Sequence, residues 1–193
     1  TTGFMTALKP GIIAVQENWR FGTVKLHNVM REASSGTMPQ VFLFRELLSH
    51  NMPSNTKFDV LVEKLATTRF SAPEYIVASG PADAVVLIRD ADTEVTNSTN
   101  RVRLGEQGSF PFLAWTNYES CEIEPVTDAR CVPAKTFVEE MKQNMAGSAL
   151  GVFAAASAFP IHNPSTAYTA VMNALTGQFD VFLRDALAPV AGK

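Results

Sequence analysis

QNMAGSALGVFAAASAFPIHNPSTAYTAVMNALTGQF, from Gln143 to Phe179, contains no Asp, Glu, Lys or Arg, in a chain of 193 residues of which 18% are charged. So long a neutral segment belongs out of water, in the chain's own core or against another molecule. Its first half is rich in Ala and Gly and reads as a helix that stops at Pro160. Gly147, Gly151 and Ala155 recur at four-residue spacing, so three small positions share one helix face and admit a second backbone closely. After the Asn163-Pro164 loop, Ser165 reads as the cap of a second helix, STAYTAVMNALTG, ended by Gly177, and FDVFLRDAL as a last helix before Pro189.

Working outward, KTFVEEMKQNM beyond Pro133 carries Phe137, Val138, Met141 and Met145 on a face opposite Glu139, Glu140 and Lys142, which predicts a helix leading into the neutral stretch. Before it, from Glu74 to Val126, the texture is different. Short β-type runs (YIVAS, AVVLIRD, TEVTN, RVRLG, SFPFLAW, SCEIEPV) alternate with turn residues at Gly80-Pro81, Asn97 to Asn100, Gly105 to Gly108 and Asn117, the rhythm of antiparallel strands. KFDVLVEKLATTRF places Phe58, Leu61, Val62, Leu65 and Phe70 largely on one helical face, with Asn55 or Thr56 as N-cap. VFLFRELLSHN, from Val41, fits a short helix or a strand. The weak alternation of Thr1 to Gly36 suggests an extended lead and one or two strands. The expected class is α+β: a central antiparallel, sandwich-like β block with a C-terminal helical hairpin or cluster. It forms one compact domain over 1–193, divisible into a β-rich body, 1–132, and a helical part, 133–193.

The net charge is -3 and the 16 basic residues are scattered singly, so no basic arm is present to neutralise a run of phosphates. TTGFMTALKPGIIAVQENW has neither the basic segment nor the apolar run of a secretory signal, which suggests cytoplasmic synthesis. Ala, Gly and Ser dilute the neutral stretch too far for a good membrane span. Cys121 and Cys131 lack zinc or redox spacing; reduced thiols and a bridge closing EIEPVTDAR both remain open.

Chemistry-bearing patterns are sparse. Asp90, Asp92 and Glu94 alternate without the glycine and distal Glu of a calcium loop, and His27, His50 and His162 have no ligand spacing. Ser148 falls inside the expected helix and not on a nucleophile elbow. Phosphate-cradling glycine motifs are missing, Asn97-Ser98-Thr99 is a sequon by spelling, and the acid pairs Glu122/Glu124 and Glu139/Glu140 read as solvated faces. These patterns assign no catalytic residue, no cofactor and no metal.

NSTNRVRLGEQGSFPFLAWTNYESCEIEPV, Asn97 to Val126, resembles small β-sandwich structural proteins of virus and phage particles: a V-x-L-G strand, a glycine turn, a short apolar strand and a further strand. The resemblance implies a coat, tail or decoration protein. Together with the neutral stretch it gives the expectation of a non-enzymatic, self-associating subunit of a virion, its partners being copies of itself and other structural subunits. The expected contact residues are Met145, Gly147, Leu150, Gly151, Phe153, Ala155 and Phe159. The competing class is a small cytoplasmic enzyme or ligand-binding domain with a cleft between the β block and the helices, for which Arg101, Arg103 and Glu119 are polar candidates.

Overall fold

The computed structural model describes residues 6–20, 40–49, 53, 56–68, 73–89, 101–106, 113–116, 129–140 and 148–183. Five strands, β1 (Thr6–Lys9), β2 (Ile13–Trp19), β3 (Glu74–Ser79), β4 (Ala84–Arg89) and β5 (Arg101–Arg103), pair in chain order, each antiparallel to the next. The α+β class with a central antiparallel sheet is thus observed. β3 and β4 are the YIVAS and AVVLIRD runs, rich in β-branched residues and joined by a turn closed by Gly80 N–H donating to the Asp83 carbonyl at 2.8 Å. Gly80 packs closely there: a Cβ would stand 2.8 Å from the Phe58 ring, so a larger residue requires that ring to move. Leu113 to Thr116, expected as strand, has no regular structure, and TEVTN and SCEIEPV lie outside the described residues.

Two helices, α1 (Gln40–Leu48) and α2 (Phe58–Thr67), cover one face of the sheet. The 3–4 spacing of Leu61, Val62 and Leu65 turns them inward with Ala66, onto Ala7, Ile13, Val15, Ile76, Ala78, Val85 and Leu87, and Phe44 of α1 closes the cluster. Each such fully buried aliphatic side chain contributes about 1.5–3 kcal/mol, which makes this layer the stable part of the molecule. Lys57, not Asn55 or Thr56, occupies the N-cap of α2, without a side-chain cap.

The C-terminal end of α2 is closed from within the sheet. Arg89, fully buried at the end of β4, donates Nη1 to the Leu65 carbonyl at 2.8 Å and to the Ala66 carbonyl, and Nη2 to the Thr68 carbonyl. Those are the carbonyls a helix leaves without intrahelical donors, at the end where a cation is favoured. Glu74, also fully buried, stands opposite Arg89 in the β3–β4 ladder.

On the outside, β5 is tied to the same helix. Arg101 forks onto Glu63 at 2.7 and 3.1 Å, and Arg103 bridges Asp59 at 2.6 Å and Asp83 at 2.7 Å. Arg101 and Arg103, the polar candidates of the enzyme reading, therefore serve as struts; Glu119 lies outside the described residues. The hydrogen bond from Arg101 holds the Glu63 carboxyl below the usual carboxylate range, against a smaller opposing effect of burial. A depressed folded-state pKa adds stability that is present above the ordinary value of 4.5 and is lost as pH falls through the folded one. Because Glu63 is largely exposed, screening keeps the effect small. Glu63→Gln is expected to cost under about 1 kcal/mol in urea unfolding at neutral pH, with the difference from wild type closing as the titration is carried below the usual carboxylate range.

Two further helices, α3 (Cys131–Glu140) and α4 (Ala149–Ser157), precede a β-hairpin of β6 (Tyr168–Asn173) and β7 (Gln178–Leu183). This corrects two expectations. The helix read through the neutral stretch is in fact α3 and the separate nine-residue α4, and Ser148 is not inside a helix but at the N-cap of α4, its Oγ accepting from Gly151 N–H at 3.0 Å. The two helices expected after Ser165 are strands. Thr169 and Val171 alternate inward, and Asn173 Oδ1 accepts from the N–H groups of Leu175 and Thr176, folding the chain back at Gly177, whose φ is 79°. A Cβ on Gly177 would meet Pro10 at 3.0 Å, and the Gly11 N–H donates to the Ala174 carbonyl at 2.7 Å, so the hairpin turn sits on the β1–β2 turn.

Candidate functional site

β1 and β2 turn their second set of side chains, with Gln16 and Asn18 two residues apart, to the side opposite α1 and α2. α4, the loop after it and β6 stand across from them and leave a cleft of about 360 Å³. Its walls are Thr6, Gln16, Glu17 and Asn18 on one side, Ala156, Ile161 and the run 166–170 on the other, with Arg130 between them in sequence. A lining of five consecutive residues means that β6 meets the cleft along its edge, the one not paired to β7.

Arg130 is brought there by α3. It is the residue just before the helix, its carbonyl accepting from Ala134 N–H at 3.0 Å, and its side chain is half-buried. Asn18 is oriented by two long hydrogen bonds: Nδ2 donates to the Trp115 carbonyl at 3.4 Å and Oδ1 accepts from Gln16 Nε2 at 3.4 Å. Behind it the Tyr75 and Trp115 rings meet at a tilt of 60° with centroids 5.7 Å apart, and the Arg20 guanidinium lies 5.8 Å from the Tyr75 centroid. This apolar and cationic backing fixes the strand end from which Asn18 projects. On the far wall, Asn163 Nδ2 donates to the Pro160 and Ile161 carbonyls and its N–H bonds Thr166 Oγ1 at 3.0 Å, which sets the loop between α4 and β6. Ser157 Oγ and His162 Nε2, beside the cleft residues Ala156 and Ile161 in sequence, are enclosed with no hydrogen-bond partner among the described residues.

Chemically the cleft joins a guanidinium and a carboxamide, which donate to an oxygen that gains negative charge; Glu17 borders it from a position that shares the parity of Ile13 and Val15, toward the helices. Threonine and tyrosine hydroxyls complete the polar part, while Ala156, Ile161, Ala167 and Ala170 make the remainder apolar. Among the described residues the lining holds no thiol and no imidazole, and no group of metal-binding side chains is found.

The residues expected to carry function fall elsewhere. α4 packs on β6 and buries Gly151 and Ala155, while Phe153 lies against Phe182 of the hairpin at 4.3 Å. Leu150 and Phe159 are 63% and 81% exposed, and Met145 and Gly147 lie outside the described residues. So do His27, His50, Cys121, the acids Asp90, Asp92, Glu94, Glu122 and Glu124, and the sequon. The backbone of Cys131 opens α3. Among the described residues no helix is long and apolar enough to cross a membrane. Arg130 and Asn18 were missed because the only signal for them is convergence in space from positions separated by more than half the chain.

No protein-family model matches the chain. The acid ceramidases of Bos taurus and Homo sapiens are each 26% identical to it over 195 residues, 98% of this chain and 47% of theirs. The chain thus spans about half the length of the curated relatives it matches. Among solved structures, the Caenorhabditis elegans ortholog of N-acylethanolamine-hydrolyzing acid amidase superposes with a TM-score of 0.70 at 23% identity, over 89% of this chain and 70% of that one, and shows that the fold is shared. These likenesses overturn the resemblance to virus and phage structural proteins. The coat, tail and capsid reading, the non-enzymatic role and the virion location fall with it, and of the competing class, a small cytoplasmic enzyme or ligand-binding domain, the enzyme is what the likenesses support. In the neutral stretch, small residues let α4 lie close on β6 within the same chain, with Gly151 and Ala155 buried.

Proposed function

We propose that this chain forms part of the active site of an amide hydrolase acting on N-acyl lipids of the ceramide or N-acylethanolamine class. The observation that carries the reading is the cleft itself, in which Arg130 and Asn18 come together from distant positions in a chain similar over nearly its whole length to acid ceramidases. In the reaction water is added across the C–N bond: oxygen goes to the acyl carbon and a proton to the nitrogen, leaving a fatty acid and a free amine. Arg130 and Asn18 donate to the carbonyl oxygen as it becomes an oxyanion, and after bond breakage the guanidinium holds the carboxylate product. The proton that the leaving amine needs is supplied by the added water. The attacking group is not among the described lining residues.

The test is direct. The purified protein is given ceramide and an N-acylethanolamine in mixed detergent micelles, with acid ceramidase as positive control, and fatty acid and amine are quantified together. Equal release of both products from either lipid is expected; release from the control alone overturns the proposal.

A further inference from the structure

The hairpin has two unlike sides. On the inner one Thr169 and Val171 are buried and Phe182 lies against Phe153. The outer side is set by the register, which pairs Tyr168 with Leu183, Ala170 with Val181 and Met172 with Phe179, and paired residues project together. That side carries no charge, since the acid of β7, Asp180, has the opposite parity. Phe179, Val181 and Leu183 are nonetheless 44%, 50% and 66% exposed. Contiguous apolar surface of this kind marks a place where something apolar binds.

Its position says what. Tyr168 and Ala170 belong both to this side and to the cleft lining at the unpaired edge of β6, so the strip adjoins the cleft there and continues across to β7, where Leu183 to Phe179 span about 13 Å. The cleft, at about 360 Å³, is near the lower end for small-molecule sites, room for an amide and its polar head but not for a long hydrocarbon chain as well. We propose that the outer side of β6–β7 is the track for the acyl chain of the substrate, and that Val181 and Leu183 set the preference for chain length. This rests on the N-acyl lipid reading above and extends it. Each methylene moved from water onto the strip improves affinity about fourfold, so a long chain gains where a short one, ending inside the cleft, does not.

The experiment separates the track from the reaction. Val181→Ser/Leu183→Ser and the wild-type protein are titrated with a long-chain and a short-chain fluorescent fatty acid, which requires no turnover, and kcat/KM is measured for N-acyl amides of the same two lengths. The double variant is expected to bind the long-chain probe about tenfold more weakly and the short one as before, with the same split in kcat/KM. Both side chains being exposed, its thermal unfolding should match wild type. Unchanged long-chain binding, or equal weakening of both probes, overturns the track. So does light scattering that shows a wild-type dimer dissociated by the double substitution with fatty-acid binding intact, since a second copy would then own the strip. If the probe split is found but no amide is cleaved, the acyl track stands and the hydrolase reading fails.

Discussion

Arg89→Leu is expected to lower unfolding free energy by about 3–5 kcal/mol, the largest loss foreseen for any single substitution in the described sheet. The guanidinium is wholly buried and supplies donors to the carbonyls of Leu65, Ala66 and Thr68 at the end of α2, while Glu74 shares its enclosed position in the ladder. Leucine fills much of the volume but returns none of the donors, and each buried carbonyl left bare costs about 1–3 kcal/mol. Arg89→Lys keeps the charge without the fork and should fall between the two. Urea unfolding monitored by circular dichroism measures all three proteins. A loss under about 1 kcal/mol for the leucine variant would show that Arg89 is not what closes the helix.

Arg130→Ala is expected to reduce kcat/KM on an N-acyl lipid by about 10²–10³, the scale of removing one charge-stabilising donor from a preorganised site. Arg130 is half-buried at the start of α3 and away from the apolar core, so the fold should lose little. If the guanidinium acts on the developing oxyanion, the loss appears in kcat; if it only holds the substrate, it appears in KM. Arg130→Lys should recover part of the activity, and added guanidinium ion should recover some in the alanine variant. Full activity in Arg130→Ala removes this residue from the mechanism.

Where local pattern and tertiary demand agree, the chain could be read directly. β3 and β4 are continuous Val, Ile and Ala runs bounded by Pro73, Gly80 and Pro81, and α2 has its apolar residues at helical spacing above a charged face. The hairpin was obscured because STAYTAVMNALTG mixes good helix formers with a glycine where a helix would end. The competing signal was present in Asn173 and Gly177, whose side-chain bonding and positive φ build a turn, and in the alternation of Thr169 and Val171. The site left less trace. Asn18 lies in the second strand, Arg130 precedes a helix more than a hundred positions on, and no spacing rule links them. The neutrality of Gln143 to Phe179 reported burial only in part: Gly151, Ala155 and Val171 are covered, while Leu150, Val152, Phe159 and Leu175 are exposed, and a count of charges does not separate the two.

The seat of the hairpin turn on Pro10 and Gly11 has a bearing on selectivity. The two walls of the cleft come from opposite ends of the described chain, and this small junction, a backbone bond at 2.7 Å beside a glycine with no room for a methyl group, is where they are clasped. Bulk added at this junction is expected to push the two walls apart. The girth of molecule admitted can therefore be retuned from positions 10, 11, 174 and 177, none of which lines the cleft.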